Sequence, residues 1–373
     1  MKAGGREQKP GAAVCTDYSF GGQAVIEGVM MRGRNCWAVA VRRPSGGIAR
    51  QSFLLDPPGA RHRVLRFPVI RGVVALYDSM SLGIKALGIS ANIGLEGADT
   101  QGDGQTAKAD RSAQDGNASE QMAVAAPVGT ETPSDEADRP HALPDGPDID
   151  PQADQAFGWK HLAMTVGIAV IMAVGLFIVI PLTVVKVFED TFSNPFVFNL
   201  VEGLIRIAIF LLYIAGISLI PDLRRVFMYH GAEHKVIHAF EAYGRPDAEK
   251  AAAYSTLHPR CGTGFLLIVM VLSVFLFAVV GKPSLPLLVL SRLIGIPIII
   301  GISYELGIKW LGKRPNTLYG RVLLWPGLQL QRLTTREPTP DQLEVAAAAL
   351  EEAVTMDRAE QQAAASMPAP VSA

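Results

Sequence analysis

Four of the seven histidines in this chain and one of its three cysteines lie in a short segment between two long hydrophobic stretches. His230-Gly231-Ala232-Glu233-His234 is followed by His238 and, twenty residues later, by His258-Pro259-Arg260-Cys261. Imidazole and thiolate are the side chains that bind transition metals best. The segment therefore predicts a metal site, although it does not indicate which substrate is involved.

The spacing of the histidines suits a helix. A helix is predicted over Asp222–Tyr243, directly after a proline that ends the preceding hydrophobic stretch. Residues four apart on a helix are separated by only about 40°, so His230, His234 and His238 share one stripe with Glu233 to its side. Two histidines at this spacing can hold one metal ion, and the neighbouring carboxylate can act as the catalytic base toward water. The order His-x-x-Glu-His is that of the inverted zinc peptidases.

Two histidines do not complete a metal site, so further ligands are expected. His258 and Cys261 lie just before the third hydrophobic stretch, with Pro259 fixing the turn between them. Glu305 ends the fourth stretch, at what is expected to be the same membrane face, and Glu241 lies near the end of the histidine helix. The spacing leaves the choice among these four residues open. The metal candidates are His230, His234, His258 and Cys261, and the additional candidates are His238, Glu305, Glu27 and Arg260.

The predicted cofactor is a divalent metal ion, with zinc as the first candidate, because nitrogen and sulfur ligands suit zinc. The predicted reaction is hydrolysis, with Glu233 as the catalytic residue. The alternative interpretation is a structural cluster of interfacial histidines that form hydrogen bonds to lipid headgroups and carbonyl groups. Haem or another ligand is a third interpretation.

The composition predicts a membrane domain together with polar portions. The hydrophobic fraction of 49% and the mean hydropathy of +0.25 are high for a soluble protein and low for one buried throughout in lipid. The chain has 34 basic and 35 acidic residues, but residues 97–156 hold 13 acidic and 3 basic ones. The rest therefore carries 31 basic and 22 acidic residues, which suits anionic lipid headgroups. Three scattered cysteines indicate reduced thiols rather than a disulfide framework.

The N-terminal region is predicted to stay in the cytoplasm and to form short strands. Residues 1–20 lack the apolar core of a signal peptide. Ala24–Ile26, Val29–Met31 and Trp37–Val41 are short apolar runs, and a glycine-containing turn then allows Ile48–Leu55 to return as a hairpin partner.

The next two segments differ sharply in composition. Residues 67–95 are apolar at helical spacing but are interrupted by Arg71, Asp78 and Lys85. This pattern predicts interfacial or re-entrant helices rather than a span, and a soluble amphipathic helix fits it about equally well. Residues 97–156 are almost without aromatic side chains and cannot offset the entropy of ordering, so they are predicted to be a disordered linker.

Four stretches reach the length of a membrane span. They are His161–Phe188, Phe196–Ile220, Gly264–Val280 and Leu285–Leu306. Lysine and arginine residues concentrate between the second and third stretches and after the fourth. The positive-inside rule therefore puts both termini and the histidine segment in the cytoplasm, and the even number of spans agrees. The predicted location is the inner (plasma) membrane, crossed several times.

Charged residues also occur inside the hydrophobic stretches. Glu202 and Arg206 lie one helical turn apart in the second, and Arg292 lies in the fourth. Charges at that depth are costly and should pair, so an interhelical ion pair is favoured over a polar path or substrate clamp. The predicted partners are the lipid bilayer and an unidentified substrate. Nucleic acid is not expected, because the arginine-rich stretch around Arg42 has only Trp37 to stack on bases. The oligomeric state is not indicated.

These residues resemble one family, the YqhQ-like bacterial membrane proteins, a domain of unknown function numbered 1385. The matching pieces are Gly22–Gly33, Ile70–Val73, Tyr229–Lys235, His258–Thr263, and the tail from Pro326–Gln329 through Gln342–Glu344. The resemblance implies a multi-pass membrane protein that is sometimes labelled a predicted metal-dependent enzyme, with no established reaction. It supports His230, Glu233, His234, His258 and Cys261 as a recurrent polar group, and His238 does not belong to the matching motif.

The predicted fold is therefore a mainly α membrane protein with about four transmembrane helices, an interfacial or re-entrant helical segment and a small cytoplasmic β-hairpin region. The predicted segments are 1–64 (β-rich), 65–96 (interfacial), 97–156 (linker), 157–190, 195–220, 263–281 and 285–311 (spans), 221–262 (histidine-rich) and 312–373 (cytoplasmic, with a terminal helix). The predicted function is a metal-dependent hydrolase at the cytoplasmic face. The alternative is a non-enzymatic membrane scaffold or small-solute transporter with a structural His/Cys cluster.

Overall fold

The computed structural model describes residues 20–55, 63–109, 159–188, 192, 194–281, 284–312 and 314–366. Within these ranges the chain is mainly helical, with one small sheet near the N-terminus, as predicted. The chain divides into two units, of which the larger comprises the residues up to Gln101 and those from Leu176 onward. All contacts given below lie within the larger unit.

The N-terminal segment forms a four-stranded antiparallel sheet in the order β1-β2-β3-β4. The strands are β1 (Gly21–Val25), β2 (Gly28–Arg32), β3 (Cys36–Arg42) and β4 (Ile48–Leu54). The predicted hairpin pairing of the last two strands is confirmed, with Trp37 opposite Phe53 and Val41 opposite Ala49. Gly46, at φ 99°, supplies the left-handed residue that this turn needs.

The remaining elements are helical. The α-helices are α1 (Ile70–Ala109), α2 (Trp159–Val174), α3 (Ile180–Lys186), α4 (Pro195–Ile217), α5 (Pro221–Tyr243), α6 (Ala248–Ala251), α7 (Gly262–Val280), α8 (Leu285–Ser303), α9 (Leu318–Thr334) and α10 (Pro340–Ser366). A 3₁₀ turn covers Arg63–Arg66, and π-helical turns cover Gly175–Val179 and Tyr304–Leu311.

Both faces of the sheet are covered, which explains why its strands are apolar at successive positions. On β3, Trp37, Val39 and Val41 point toward one face and pack with Leu82 and Ala86 of α1. The alternate residues of β3 point the other way and pack against α5 and α10. A strand with period-two side chains can be apolar throughout only where both faces are buried. The sheet is thus held between α1 and the α5–α10 pair.

Among the described residues, five helical segments are long and apolar enough to cross a membrane. They are Ile70–Gly94, Gly167–Lys186, Pro195–Ile217, Gly262–Val280 and Leu290–Leu311. The last four coincide with the four predicted spans. The first is the apolar part of α1, whose inner face packs on the sheet while Tyr77, Met80, Ile84 and Leu87 form an exposed stripe on its outside.

Helix α1 continues to Ala109 and therefore extends into the segment that was predicted to be a disordered linker. The alanines, the two glutamines and the single Lys108 of this stretch are good helix formers, although its three glycines are not. The rest of the predicted linker, residues 110–156, lies outside the described residues.

The charges inside the hydrophobic stretches are arranged differently from the prediction of an interhelical ion pair. Glu202 and Arg206 pair within α4, one turn apart. Arg206 reaches the neighbouring helical segment by donating from Nε to the carbonyl oxygen of Phe177, at 2.9 Å. The Arg292 guanidinium instead lies over the ring of Phe277, 3.4 Å from its centre. A long arginine side chain can reach a carbonyl or a ring more easily than a short acid on another helix.

A candidate metal centre on helix α5

Helix α5 carries the histidine stripe into the interior of the protein. Pro221 begins the helix, where its missing N–H costs nothing, and Gly244 ends it in a left-handed conformation at φ 74°. Between them, the stretch from Tyr229 to Phe240 is largely buried against the sheet, α10 and the loop before α7. Polar side chains on this stretch are consequently enclosed by protein rather than exposed to water.

The structure brings together His230, His234 and Cys261. Their potential ligand atoms all lie within 4.8 Å of one another. The Nε2 atom of His230 is 3.2 Å from the Sγ atom of Cys261, and the two imidazole rings have centres 4.5 Å apart. Ligand atoms that share one tetrahedral ion are separated by similar distances, so these three atoms can converge on a single cation.

Backbone carbonyl groups orient both imidazoles. The Nδ1 atom of His230 donates to the carbonyl oxygen of Thr334 at 2.8 Å, and Nδ1 of His234 donates to that of Thr256. A carbonyl oxygen only accepts, so the proton of each neutral ring is on Nδ1 and the Nε2 lone pair is left free. Nε2 of His234 is buried and has no hydrogen-bond partner among the residues that the structure describes. Outer-shell carbonyls orient metal-binding histidines in the same way.

The local electrostatics favour the ligand forms of these side chains. Burial lowers the pKa of His234, which keeps its imidazole neutral. Burial alone would raise the pKa of the Cys261 thiol, but the adjacent His234 imidazole and the hydrogen bonds with Thr263 together outweigh burial and lower that pKa. A neutral imidazole and a thiolate are the species that bind metal ions.

Glu233 lies beside the three-residue cluster and is 5% exposed. Its Oε2 atom is buried without a hydrogen-bond partner in the described part of the chain. Burial raises the pKa of this carboxyl to about 7, although nearby His230 and a backbone hydrogen bond from Gly22 act in the opposite direction. Gly22 of β1 closes the site, since a Cβ atom there would lie 2.9 Å from the Glu233 carboxyl carbon. The role of Gly22 in closing the site could not be inferred from the sequence alone.

His258, His238 and Glu241 form a second, adjacent group whose ligand atoms also lie within 4.8 Å of one another. Nδ1 of His258 accepts a hydrogen bond from the backbone N–H of Arg260 at 3.3 Å, so the ring proton is on Nε2, which faces Glu241 at 3.7 Å. His238 donates from Nε2 to the carbonyl oxygen of Leu257 at 2.9 Å. Burial lowers the pKa of both histidines to about 4.

Protein contacts already engage the residues of the second group. The Arg260 guanidinium pairs with the Glu241 carboxylate, so neither charge needs an added ion. Gln331 of α9 brackets His258, accepting from its backbone N–H at 2.8 Å and donating to its carbonyl oxygen at 2.9 Å. Two candidate ligands precede α7. Cys261 lies with His230 and His234, whereas His258 is held in the loop by hydrogen bonds with Arg260 and Gln331. No sequence pattern had pointed to Gln331.

Two further candidates contact other residues. Glu305 pairs with Arg71 at the start of α1, and its Oε1 accepts from Arg71 Nε at 2.5 Å. Glu27 accepts two hydrogen bonds from Arg225 and one from the Tyr229 hydroxyl at 3.2 Å. Both carboxylates are thus engaged away from the cluster, because an arginine lies nearer to each of them.

Comparison with known proteins supplies a family but no reaction. The model of the family described as "Protein of unknown function (DUF1385)" matches residues 67–356. The chain belongs to this family. It is also 30% identical to the uncharacterized protein YqhQ of Bacillus subtilis (strain 168), over 352 residues that cover 92% of this chain and 95% of the relative. No solved structure matches the chain.

In this DUF1385 chain, the glycine inside the histidine motif allows a close crossing. The segment that joins α9 to α10 passes over α5 at Gly231, where a Cβ atom would overlap the carbonyl oxygen of Arg336. The crossing is held by a hydrogen bond from the Arg336 N–H to the carbonyl oxygen of Phe227, at 2.9 Å. Thr334, the last residue of α9 before this segment, supplies the carbonyl that orients His230, so the crossing also positions a candidate ligand.

The substitution Gly231→Ala is expected to destabilise the protein by about 2 kcal/mol, because the new methyl group must displace a backbone carbonyl. Gly88→Ala is the matched control. Gly88 lies in α1, where a Cβ atom would meet no other atom within 4 Å, so alanine there should be neutral or slightly stabilising. Thermal unfolding of the detergent-purified variants measures both effects, and equal melting temperatures would contradict the close crossing.

Proposed function

We propose that this chain is a multi-pass inner-membrane protein that holds a divalent metal ion with His230, His234 and Cys261 and uses it for hydrolysis. The observation that carries the proposal is the convergence of two Nε2 lone pairs on the Cys261 sulfur, each ring held by a backbone carbonyl. Three protein ligands with an open fourth position are typical of catalytic zinc sites. Two nitrogens and one sulfur favour zinc over magnesium or calcium.

Glu233 is the proposed general base. It follows His230 by three residues on the same helix, and its free Oε2 atom is enclosed with the ligand group. A bound divalent ion would supply Lewis acidity at this position. A carboxyl with a pKa near 7 can accept a proton from water and return it to a leaving group at neutral pH.

A non-enzymatic scaffold or small-solute transporter is the second candidate function. It is favoured by the polar group inside the apolar helices, where Glu202, Arg206 and Arg292 lie on α4 and α8. The Nη1 atom of Arg292 is buried and has no hydrogen-bond partner within the described ranges. In that case the His/Cys cluster would be structural.

The proposed topology has four spans, with both termini and the metal centre in the cytoplasm. Helix α1 is not counted as a span, because its inner face packs on a sheet that also carries charged residues, and Asp78 in its middle pairs with Arg32. Its exposed apolar stripe suits a helix lying on the membrane surface. The basic residues beside α5 and after α8 support the cytoplasmic placement.

Elemental analysis of the purified protein tests the metal proposal. We expect about one zinc ion per chain, consistent with three well-oriented ligands. His234→Ala should lower the zinc content at least tenfold, because it removes one of the three ligands. His238→Ala is the matched control one turn further along α5, and it should keep its zinc because His238 is committed to the Leu257 carbonyl. Wild-type protein without stoichiometric metal, or equal loss in both variants, would refute the assignment.

The Glu233→Gln variant separates the enzyme from the scaffold. The amide is nearly isosteric, so the variant should keep its metal, but it cannot accept the proton that hydrolysis requires. In an enzyme we expect it to behave like a gene deletion when chromosomal variants are grown in competition. Glu351→Gln, which changes an exposed acid on α10 away from both proposed sites, should grow as the wild type does. Growth of the Glu233→Gln strain at the wild-type rate, with full metal content, would favour the scaffold.

Cysteine labelling of the full chain tests the topology. In a variant without its native cysteines, Ser45→Cys and Ser134→Cys flank α1, and Ser284→Cys lies between α7 and α8. A membrane-impermeant maleimide should label Ser284→Cys in intact cells and the other two only after the membrane is opened. Opposite accessibility of positions 45 and 134 would show that α1 crosses the membrane.

A further inference from the structure

We propose that a cavity lined by Arg42, Arg43 and Arg225 binds a phosphoryl anion. This cavity, referred to below as the arginine cavity, is separate from the metal centre. Its ligand chemistry is that of a phosphate monoester or diester, supplied either by an anionic lipid headgroup or by a soluble phosphate compound. The proposal does not depend on the proposed hydrolysis.

Four elements meet around the arginine cavity. The β1–β2 turn contributes Ile26 and Glu27, the end of β3 and the following turn contribute their arginines, α1 contributes Ser90 and Gly94, and α5 contributes Arg225. The cavity volume is about 360 Å3, which lies within the range of small-molecule sites. A space of this size can take a phosphoryl group together with part of the molecule that carries it.

The charge of the cavity is positive. Three arginines and one glutamate are found among its described lining residues, and Glu344, which pairs with Arg42 at 3.3 Å, adds one more acid beside it. The five side chains together still leave a net charge of +1. Guanidinium groups match phosphate oxygens in geometry as well as in charge.

Two of the arginines are already held in place. Arg225 forms a two-pronged pair with Glu27, and Arg42 donates to the carbonyl oxygens of Gly46 and Asp341 at 3.1 and 2.7 Å. Less conformational entropy is therefore lost when an anion binds. Glu27 sits in the left-handed region at φ 54°, which is unfavourable for a side-chain residue. Its contacts with Arg225 and Tyr229 stabilise that conformation and direct Arg225 along the cavity wall.

Arg43 is the arginine of the cavity that has no ion-pair partner among the described residues. Its side chain is exposed and forms no ion pair with any residue that the structure describes, while its backbone N–H is used in the turn. Apolar atoms of Ile26, Val41 and Pro44 line the space next to it. A free guanidinium beside an apolar wall suits a ligand with an anionic head and an organic body.

Binding of defined probes to the purified full-length protein tests the proposal. Native mass spectrometry would compare phosphatidylglycerol, phosphatidylcholine and inorganic phosphate on the delipidated protein. Arg43→Gln should weaken the affinity for the anion about tenfold, because one charge-assisted contact is lost. Arg34→Gln is the matched control, an exposed arginine of the same sheet region that does not line the cavity.

A second pair of variants tests the volume of the arginine cavity without changing its charge. A Cβ atom at Gly94 would meet no other atom within 4 Å, so a leucine side chain can be accommodated there. Gly94→Leu should therefore fill the cavity from α1 and abolish anion binding. Gly88→Leu has equally open surroundings on the same helix but lies outside the lining, so binding should persist.

Each outcome decides the proposal. Selective binding of phosphatidylglycerol over phosphatidylcholine, lost in Arg43→Gln and Gly94→Leu, supports it with a lipid as the source. Binding of inorganic phosphate that is lost in the same variants, without lipid selectivity, supports it with a soluble source. Wild-type protein that binds neither anion above the phosphatidylcholine level overturns it. Equal weakening by Arg43→Gln and Arg34→Gln also overturns it, because the attraction would then be a general surface effect.

Discussion

The candidate metal centre depends on two hydrogen bonds from imidazole N–H groups to backbone carbonyls. Thr334 and Thr256 accept from Nδ1 of His230 and His234, and this alone decides that both Nε2 lone pairs face Cys261. If either carbonyl were absent, the ring could flip or take the other tautomer, and the three ligand atoms would no longer converge. Burial also lowers the pKa of His234, which keeps that ring neutral.

These carbonyls come from segments far from α5 in sequence, so the site exists only in the folded chain. The Thr256 carbonyl belongs to the loop before α7, and the Thr334 carbonyl belongs to the end of α9. Gly231 lets the α9–α10 connection approach α5, and Gly22 lets β1 approach Glu233. Small residues at both crossings thus permit backbone to lie directly against the helix that carries the ligands.

The part of the site that follows from local periodicity could be predicted from the sequence, and the part that follows from tertiary packing could not. His230 and His234 share a helical face because they are four residues apart, whatever surrounds them. The choice of Cys261 over His258 depends on a hydrogen bond from Arg260 and on Gln331 of α9, which no spacing reveals. Likewise the β3–β4 pairing could be predicted from two short apolar runs and a glycine-containing turn, whereas the packing of α1 on the sheet could not.

The β1–β2 hairpin contacts α5 both at the candidate metal centre and at the arginine cavity. Its Gly22 lies against Glu233 and its Glu27 holds Arg225, so one hairpin contacts α5 at two points eight residues apart. Eight residues of helix rise about 12 Å, which is the length of a short hairpin. A shift of the hairpin along α5 would therefore change the contacts of Glu233 at the candidate metal centre and those of Arg225 in the arginine cavity together. The packing of the sheet between α1 and α10 opposes such a shift.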